Sequence, residues 1–139
     1  MGNTKVRDSM TANPLAIEAD QPVVKAAELM AKENVGSLPV VENGELAGIV
    51  TDRDLVIQVV ARGLDSKSVK VADVYTAKPV VASPDELLDQ ALQRMAEEQV
   101  RRLPVVSDGE LVGMLAQADV ARSADAQSTG HMVEEISKK

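Results

Sequence analysis

The sequence predicts an α+β fold made of two copies of one β-α-β-β-α unit. Three observations lead there. First, a shift of 65 residues lays Pro14 on Pro79, Leu38-Pro39-Val40-Val41 on Leu103-Pro104-Val105-Val106 and Gly44-Glu45-Leu46 on Gly109-Glu110-Leu111. Second, each copy carries a stretch whose apolar residues recur at helical spacing. Third, each has two short apolar runs joined through Asn-Gly or Asp-Gly, a strong hairpin signal because both residues tolerate positive φ. Other matches at the same shift, among them Asp8/Asp73, Thr11/Thr76, Met30/Met95 and Asp54/Asp119, spread along the whole copy. A unit this small cannot bury its apolar face alone, so the two halves are expected to pack together.

Taken in order, a β-prone run, Leu15 to Glu18 or Val80 to Ala82, opens each body. An amphipathic helix follows, carrying Val23, Ala26, Ala27, Met30 and Ala31 in the first copy and Leu88, Ala91, Leu92, Met95 and Ala96 in the second. Asp20 ahead of Pro22 is the expected cap of one, and Ser83-Pro84-Asp85-Glu86 supplies a cap, a first-turn proline and acidic residues for the other. Met30 and Met95 read as core packing. The hairpins span Leu38 to Val41 with Leu46 to Val50, and Leu103 to Val106 with Leu111 to Leu115. Second helices are expected from Asp52 to about Ala61 and from Gln117 to about Ser123. The chain thus divides into residues 1–62, a polar connector 63–70, residues 71–123 and a tail 124–139, where Met132, Val133 and Ile136 sit at the spacing of a short helix.

Composition narrows the function. The chain has 139 residues, 45% of them hydrophobic, enough for a real core. Without cysteine, disulfides, thiolate metal sites and a cysteine nucleophile are excluded. No apolar stretch reaches the ~18 residues of a membrane helix and the start has no secretory h-region, so the expectation is a cytoplasmic protein without membrane association. A net charge of −7 argues against nucleic acid as a partner. Tyr75 is the one aromatic residue, read as packing, so a bound base would lie between aliphatic side chains. His131 lies in the polar tail as a surface histidine, and no base and nucleophile pairing is evident, so no catalytic residues and no metal ligands are assigned.

The most informative segment is Gly48-Ile49-Val50-Thr51-Asp52-Arg53-Asp54, which ends a hairpin and opens a helix. Such a junction offers free backbone N–H groups and a positive dipole end to an anion, with Thr51 adding a hydroxyl and Asp54 an acceptor for paired sugar hydroxyls. The same T-x-x-D pattern also serves simply to cap the helix. Both readings stand at this level.

With its opening Asp8-Ser9-Met10-Thr11, the Leu38-Pro39-Val40-Val41 run and the closing Gly48 to Asp54 segment, the duplicated unit closely resembles the CBS domain, named after cystathionine β-synthase. The resemblance covers roughly residues 5 to 123 and is to stand-alone bacterial proteins made of two such domains. It implies two β-α-β-β-α units packed with pseudo-twofold symmetry, a homodimer, and a regulatory role in which an adenosyl ligand, AMP, ADP, ATP or S-adenosylmethionine, changes the surface seen by a partner protein. No cofactor is required.

The resemblance further implies two clefts, each built from both copies. The first would join Ile49, Thr51 and Asp54 to Thr76, Val81, Val100, Arg101 and Arg102. There Asp54 would take the ribose hydroxyls and Thr51 a phosphate oxygen, the two valines would clamp the base, and the arginines would supply fixed positive charge. The second would join Met114, Ala116 and Asp119 to Thr11, Ala16, Val35, Gly36 and Ser37. It departs from the pattern: Ala116 replaces the hydroxyl residue and Gly36-Ser37 stand where the other copy has Arg101-Arg102. This second cleft is expected to be empty or to take only a weak or uncharged ligand. The competing reading is a ligand-independent dimeric stress-response protein with vestigial clefts.

Overall fold

In the computed structural model, residues 3–77 and 79–121 are described, and they form two compact units. The inner unit comprises Leu15–Pro79 with Gly109–Leu111. The terminal unit comprises residues up to Pro14, Val80–Asp108 and the described residues from Val112 on. The expected tail helix with Met132, Val133 and Ile136, and His131, lie outside the described residues.

The inner unit runs β2 (Ile17–Glu18), α1 (Val23–Glu33), β3 (Ser37–Glu42), β4 (Glu45–Thr51), α2 (Asp52–Leu55) and β5 (Thr76–Ala77). β2 pairs in parallel with β3, and β4 pairs antiparallel with both β3 and β5. The terminal unit repeats the plan with β1 (Thr11–Ala12), α3 (Leu88–Glu98), β6 (Arg102–Ser107) and β7 (Glu110–Ala116), followed by helical residues 117–121. β1 and β6 both pair with β7, and Ala82 bridges Val105 in parallel. Each unit has its own core. Val23, Ala26 and Met30 of α1 meet Leu38, Val40 and Val50 in one, and Leu88, Ala91 and Met95 of α3 meet Leu103, Val105 and Leu115 in the other. Alternation along β4 puts Gly48 and Val50 in the core, leaving Ile49 and Thr51 half-buried on the opposite face. The expected helical residues Ala27, Ala31 and Ala96 are exposed, and Leu92 is half-buried.

Both hairpins turn where expected. Asn43 and Gly44 have φ of 55° and 82°, Asp108 and Gly109 of 52° and 83°, the left-handed pair a two-residue turn requires.

The helix starts correct the sequence reading. α1 begins behind Pro22 without a side-chain cap, so Asp20 does not perform that role. Its first N–H groups donate instead to carbonyls of the connector, Val23 N to Val69 O at 2.8 Å and Val24 N to Ser66 O at 3.0 Å. α3 begins at Leu88, whose N–H donates to Thr4 O at 2.8 Å. Ser83-Pro84-Asp85-Glu86 forms a separate turn ahead of it, closed by Ser83 N donating to Glu86 Oε2 at 2.7 Å. Backbone carbonyls from a distant segment supply what local side chains were expected to supply. The segments concerned correspond at the 65-residue shift: residues 4–10 cover the start of α3, and residues 69–75 the start of α1. The body of each repeat is therefore completed by the opening stretch of the other. Past Leu55 the second helix widens to a π-type turn over Val56–Val60, where Ala61 N donates to Val56 O at 2.8 Å.

Candidate functional site

Within the inner unit, four of the expected residues share one face. Ile49 of β4 stands opposite Thr76 of β5, and Thr51 lies two residues further along the same strand. Thr51 is also the N-cap of α2, in extended conformation at φ −118° and ψ 162°. Its Oγ1 accepts from Asp54 N at 3.1 Å, and Asp54 Oδ2 accepts from Thr51 N at 2.9 Å. The capping reading of T-x-x-D therefore holds in full. It does not exhaust the pair's chemistry. Thr51 accepts through its oxygen and keeps its own hydroxyl proton to donate, and Asp54 Oδ1 takes no hydrogen bond among the described residues.

The free backbone donors expected at this helix start are absent. Asp52 N donates to Gly36 O at 2.9 Å, Arg53 N to Asp52 Oδ1 at 2.8 Å, and Asp54 N to Thr51. The junction offers a hydroxyl and a carboxylate oxygen rather than a nest of N–H groups. Positive charge for an anion has to come from side chains.

Within the terminal unit, Val100 is half-buried against the core, while Val81, Arg101 and Arg102 are exposed. Neither arginine side chain has an ion pair or hydrogen bond among the described residues. Arg102 opens β6, and the Arg101 carbonyl accepts from Gln117 N at 3.0 Å, the counterpart of the Gly36 to Asp52 bond.

The residues of the second set divide the same way. In the terminal unit Thr11 pairs with the buried Met114 across β1 and β7, and its Oγ1 donates to Asp119 Oδ2 at 3.3 Å. Ala116, at the position of Thr51, has no side-chain oxygen with which to cap residues 117–121. In the inner unit Ala16 and Val35 are half-buried, Gly36 is exposed, and Ser37 of β3 stands opposite Thr51.

One pairing in the terminal unit escaped sequence reasoning. Arg94, on α3, donates Nη1 to the Val81 carbonyl at 2.9 Å and meets both carboxylate oxygens of Glu86, Nη2 to Oε1 at 2.8 Å and Nη1 to Oε2 at 3.2 Å. Burial by itself would raise the Glu86 carboxyl, but the bonds from Arg94 and the Ser83 N–H outweigh it and hold the group below its ordinary value. The pairing in turn raises the Arg94 guanidinium. Only a copy-against-copy comparison signals them, because Leu29 and Gln21 occupy the equivalent positions. Among the described residues no three His, Cys, Asp or Glu side chains gather to hold a metal, and no helix is long and apolar enough to cross a membrane.

Known proteins share this plan. The family model described as "CBS domain" matches residues 6–61 and again 71–125. The chain is 38% identical over 135 residues to the CBS domain-containing protein YhcV of Bacillus subtilis, covering 96% of each. It is 33% identical over 120 residues to hypoxic response protein 1 of Mycobacterium tuberculosis, covering 86% of this chain and 84% of that one. A crystal structure of Hypoxic Response Protein I with two coordinated zinc ions superposes with a TM-score of 0.76 at 35% identity, over 86% of this chain and 98% of that one. CBSX2 in complex with AMP gives 0.75 at 33%, over 87% and 96%. A CBS domain pair bound to 5′-methylthioadenosine and S-adenosyl-L-methionine gives 0.73 at 26%, over 90% and 98%. With its duplicated motifs, its two matching units and these neighbours, the chain belongs to the CBS-domain family as a tandem CBS-domain pair.

Proposed function

We propose that this protein is a non-catalytic regulatory module of the cytoplasm that senses an adenosyl nucleotide of the AMP, ADP or ATP class and passes the signal to a separate partner protein through the surface of a homodimer. The residues assigned to the nucleotide are Ile49, Thr51, Asp54, Thr76, Val81, Val100, Arg101 and Arg102. One observation carries the reading: Thr51 and Asp54, bonded to each other at the end of the strand that pairs Ile49 with Thr76, still keep a hydroxyl proton and a carboxylate oxygen without a partner among the described residues. Those are the groups a phosphate oxygen and a ribose hydroxyl pair require. Arg101 and Arg102, which have no ion pair among the described residues, then select a charged nucleotide over a bare nucleoside. In the second set the carboxylate of Asp119 already accepts from Thr11 and the capping hydroxyl is missing, so that set takes no phosphate.

Calorimetric titration with AMP, ADP, ATP and S-adenosylmethionine tests this. Asp54→Asn keeps an oxygen to accept from Thr51 N while removing the charge, and is expected to weaken binding about tenfold or more with little loss of stability. Absence of binding below millimolar, or an unchanged affinity in the variant, refutes the assignment.

A second reading, a ligand-independent dimeric interaction or stress-response protein with vestigial clefts, keeps the dimer and drops the ligand. Val56, Ile57, Val60 and Leu64 leave an exposed apolar face just past α2, with Val60 at 70% exposure. Under that reading no adenosyl ligand shifts the melting temperature, yet the dimer persists in size-exclusion runs.

A further inference from the structure

We infer that the Arg94–Glu86 pair is the positioning device for the base end of the nucleotide site, kept in one copy of the repeat and lost from the other; this rests on the nucleotide reading above. Val81, assigned to clamp the base, is exposed and belongs to no strand. The next residue is fixed by the sheet, with Ala82 N donating to Pro104 O at 2.9 Å and Val106 N donating to Ala82 O at 2.9 Å. The Val81 carbonyl lies just outside that ladder. Arg94 is what holds it, and Glu86 is what holds Arg94, through a bidentate pairing whose Oε2 also accepts from Ser83 N at 2.7 Å. One carboxylate thus ties together the turn after Val81, the helix behind it and, through the guanidinium, the Val81 backbone itself.

The other copy is a built-in control. Ala16, Glu18, Gln21 and Leu29 stand where Val81, Ser83, Glu86 and Arg94 stand. The backbone path is the same: Gln21 N donates to Glu18 O at 3.2 Å as Glu86 N does to Ser83 O at 3.3 Å, and Val71 N donates to Gln21 O at 2.9 Å as Val6 N does to Glu86 O at 3.0 Å. Leu29 has no donor to offer the Ala16 carbonyl, and Gln21 has no charge. Where the other copy has its clamp, the inner unit has an open groove of about 440 Å³ lined by Ala16, Gln21 and Leu29. Three differences therefore point one way. Thr51 against Ala116, Arg101-Arg102 against Gly36-Ser37, and Arg94-Glu86 against Leu29-Gln21 all leave the functional group with the first residue set and remove it from the second.

The test is to titrate the full chain and its Arg94→Met variant, which keeps the aliphatic stem, with AMP and with adenosine, following melting temperature alongside. A base-end positioning role weakens both ligands by the same factor, about tenfold for the lost charge-assisted bonds. Glu86→Gln, nearly isosteric and safer for folding, is expected to show the same equal loss to a smaller degree. Undiminished affinity in both folded variants overturns the inference. A loss confined to AMP overturns it too, since Arg94 would then act on the phosphate. If the unmodified chain binds neither ligand, the nucleotide reading falls first and this inference falls with it.

Discussion

Ser9 is buried at 6% exposure, and its hydroxyl has no hydrogen-bond partner among the described residues. The other copy has the apolar Val74 at that position. An orphan hydroxyl in a core is a net cost, so Ser9→Ala is expected to stabilise the chain by about 1 kcal/mol, read from urea unfolding. Glu86 gives the opposite kind of case. Because its folded value is depressed, the stability it contributes is fully present above the ordinary carboxylate range and is lost as acid carries the pH down through the lowered value. Glu86→Gln should therefore melt below the unmodified chain at neutral pH, with the gap closing in strong acid. With about a third of the Arg94 side chain exposed to water, that gap is worth only about 1 kcal/mol. At this scale the sequence exposes some pairings and hides others. Thr51 and Asp54 are legible because a capping box lies within three residues of chain. Arg94 and Glu86 are not, since neither an i,i+4 spacing nor a strand register links them, and only the fold around the Ser83 to Glu86 turn brings them together.

Among the elements, the β4–β5 pairing depends on a missing side chain. A methyl group on Gly48 would collide with the Thr76 carbonyl oxygen and the Tyr75 ring, both fixed by the pairing and by packing against the inner core. Gly113 has the same place in the terminal unit, but there the closest neighbour is the thioether of Met10 at 2.5 Å, the end of a flexible side chain. Gly48→Ala is thus expected to cost about 1–3 kcal/mol and Gly113→Ala distinctly less, a contrast that thermal unfolding of the two variants will show. The hairpins were readable because Asn-Gly and Asp-Gly specify their own turn geometry. Helix starts were not: the N–H groups of Val23, Val24 and Leu88 donate to carbonyls some forty or more residues away in sequence, at Val69, Ser66 and Thr4, and no local pattern encodes that. The π-type turn over Val56–Val60 likewise has no signature in the apolar spacing, which reads as continuous α-helix.

For the whole molecule, the exposed Val56, Ile57, Val60 and Leu64 predict association that depends on protein concentration. Val60→Asp is expected to shift the chain to monomer in light scattering while leaving the melting curve of the dilute protein nearly unchanged. A net charge of −7 gives such association a like-charge repulsion to overcome, weakest at high salt. The reciprocal completion of each repeat by the opening of the other sets an order of events as the chain is made. Residues 15–79 emerge as a nearly finished body, because the stretch that covers α1 follows it directly. Residues 3–14 are made before that body, when the helix start they cover, at Leu88, does not yet exist. They must wait for residues 80–121, so a stretch made ahead of the inner unit finds its place only after that unit is formed.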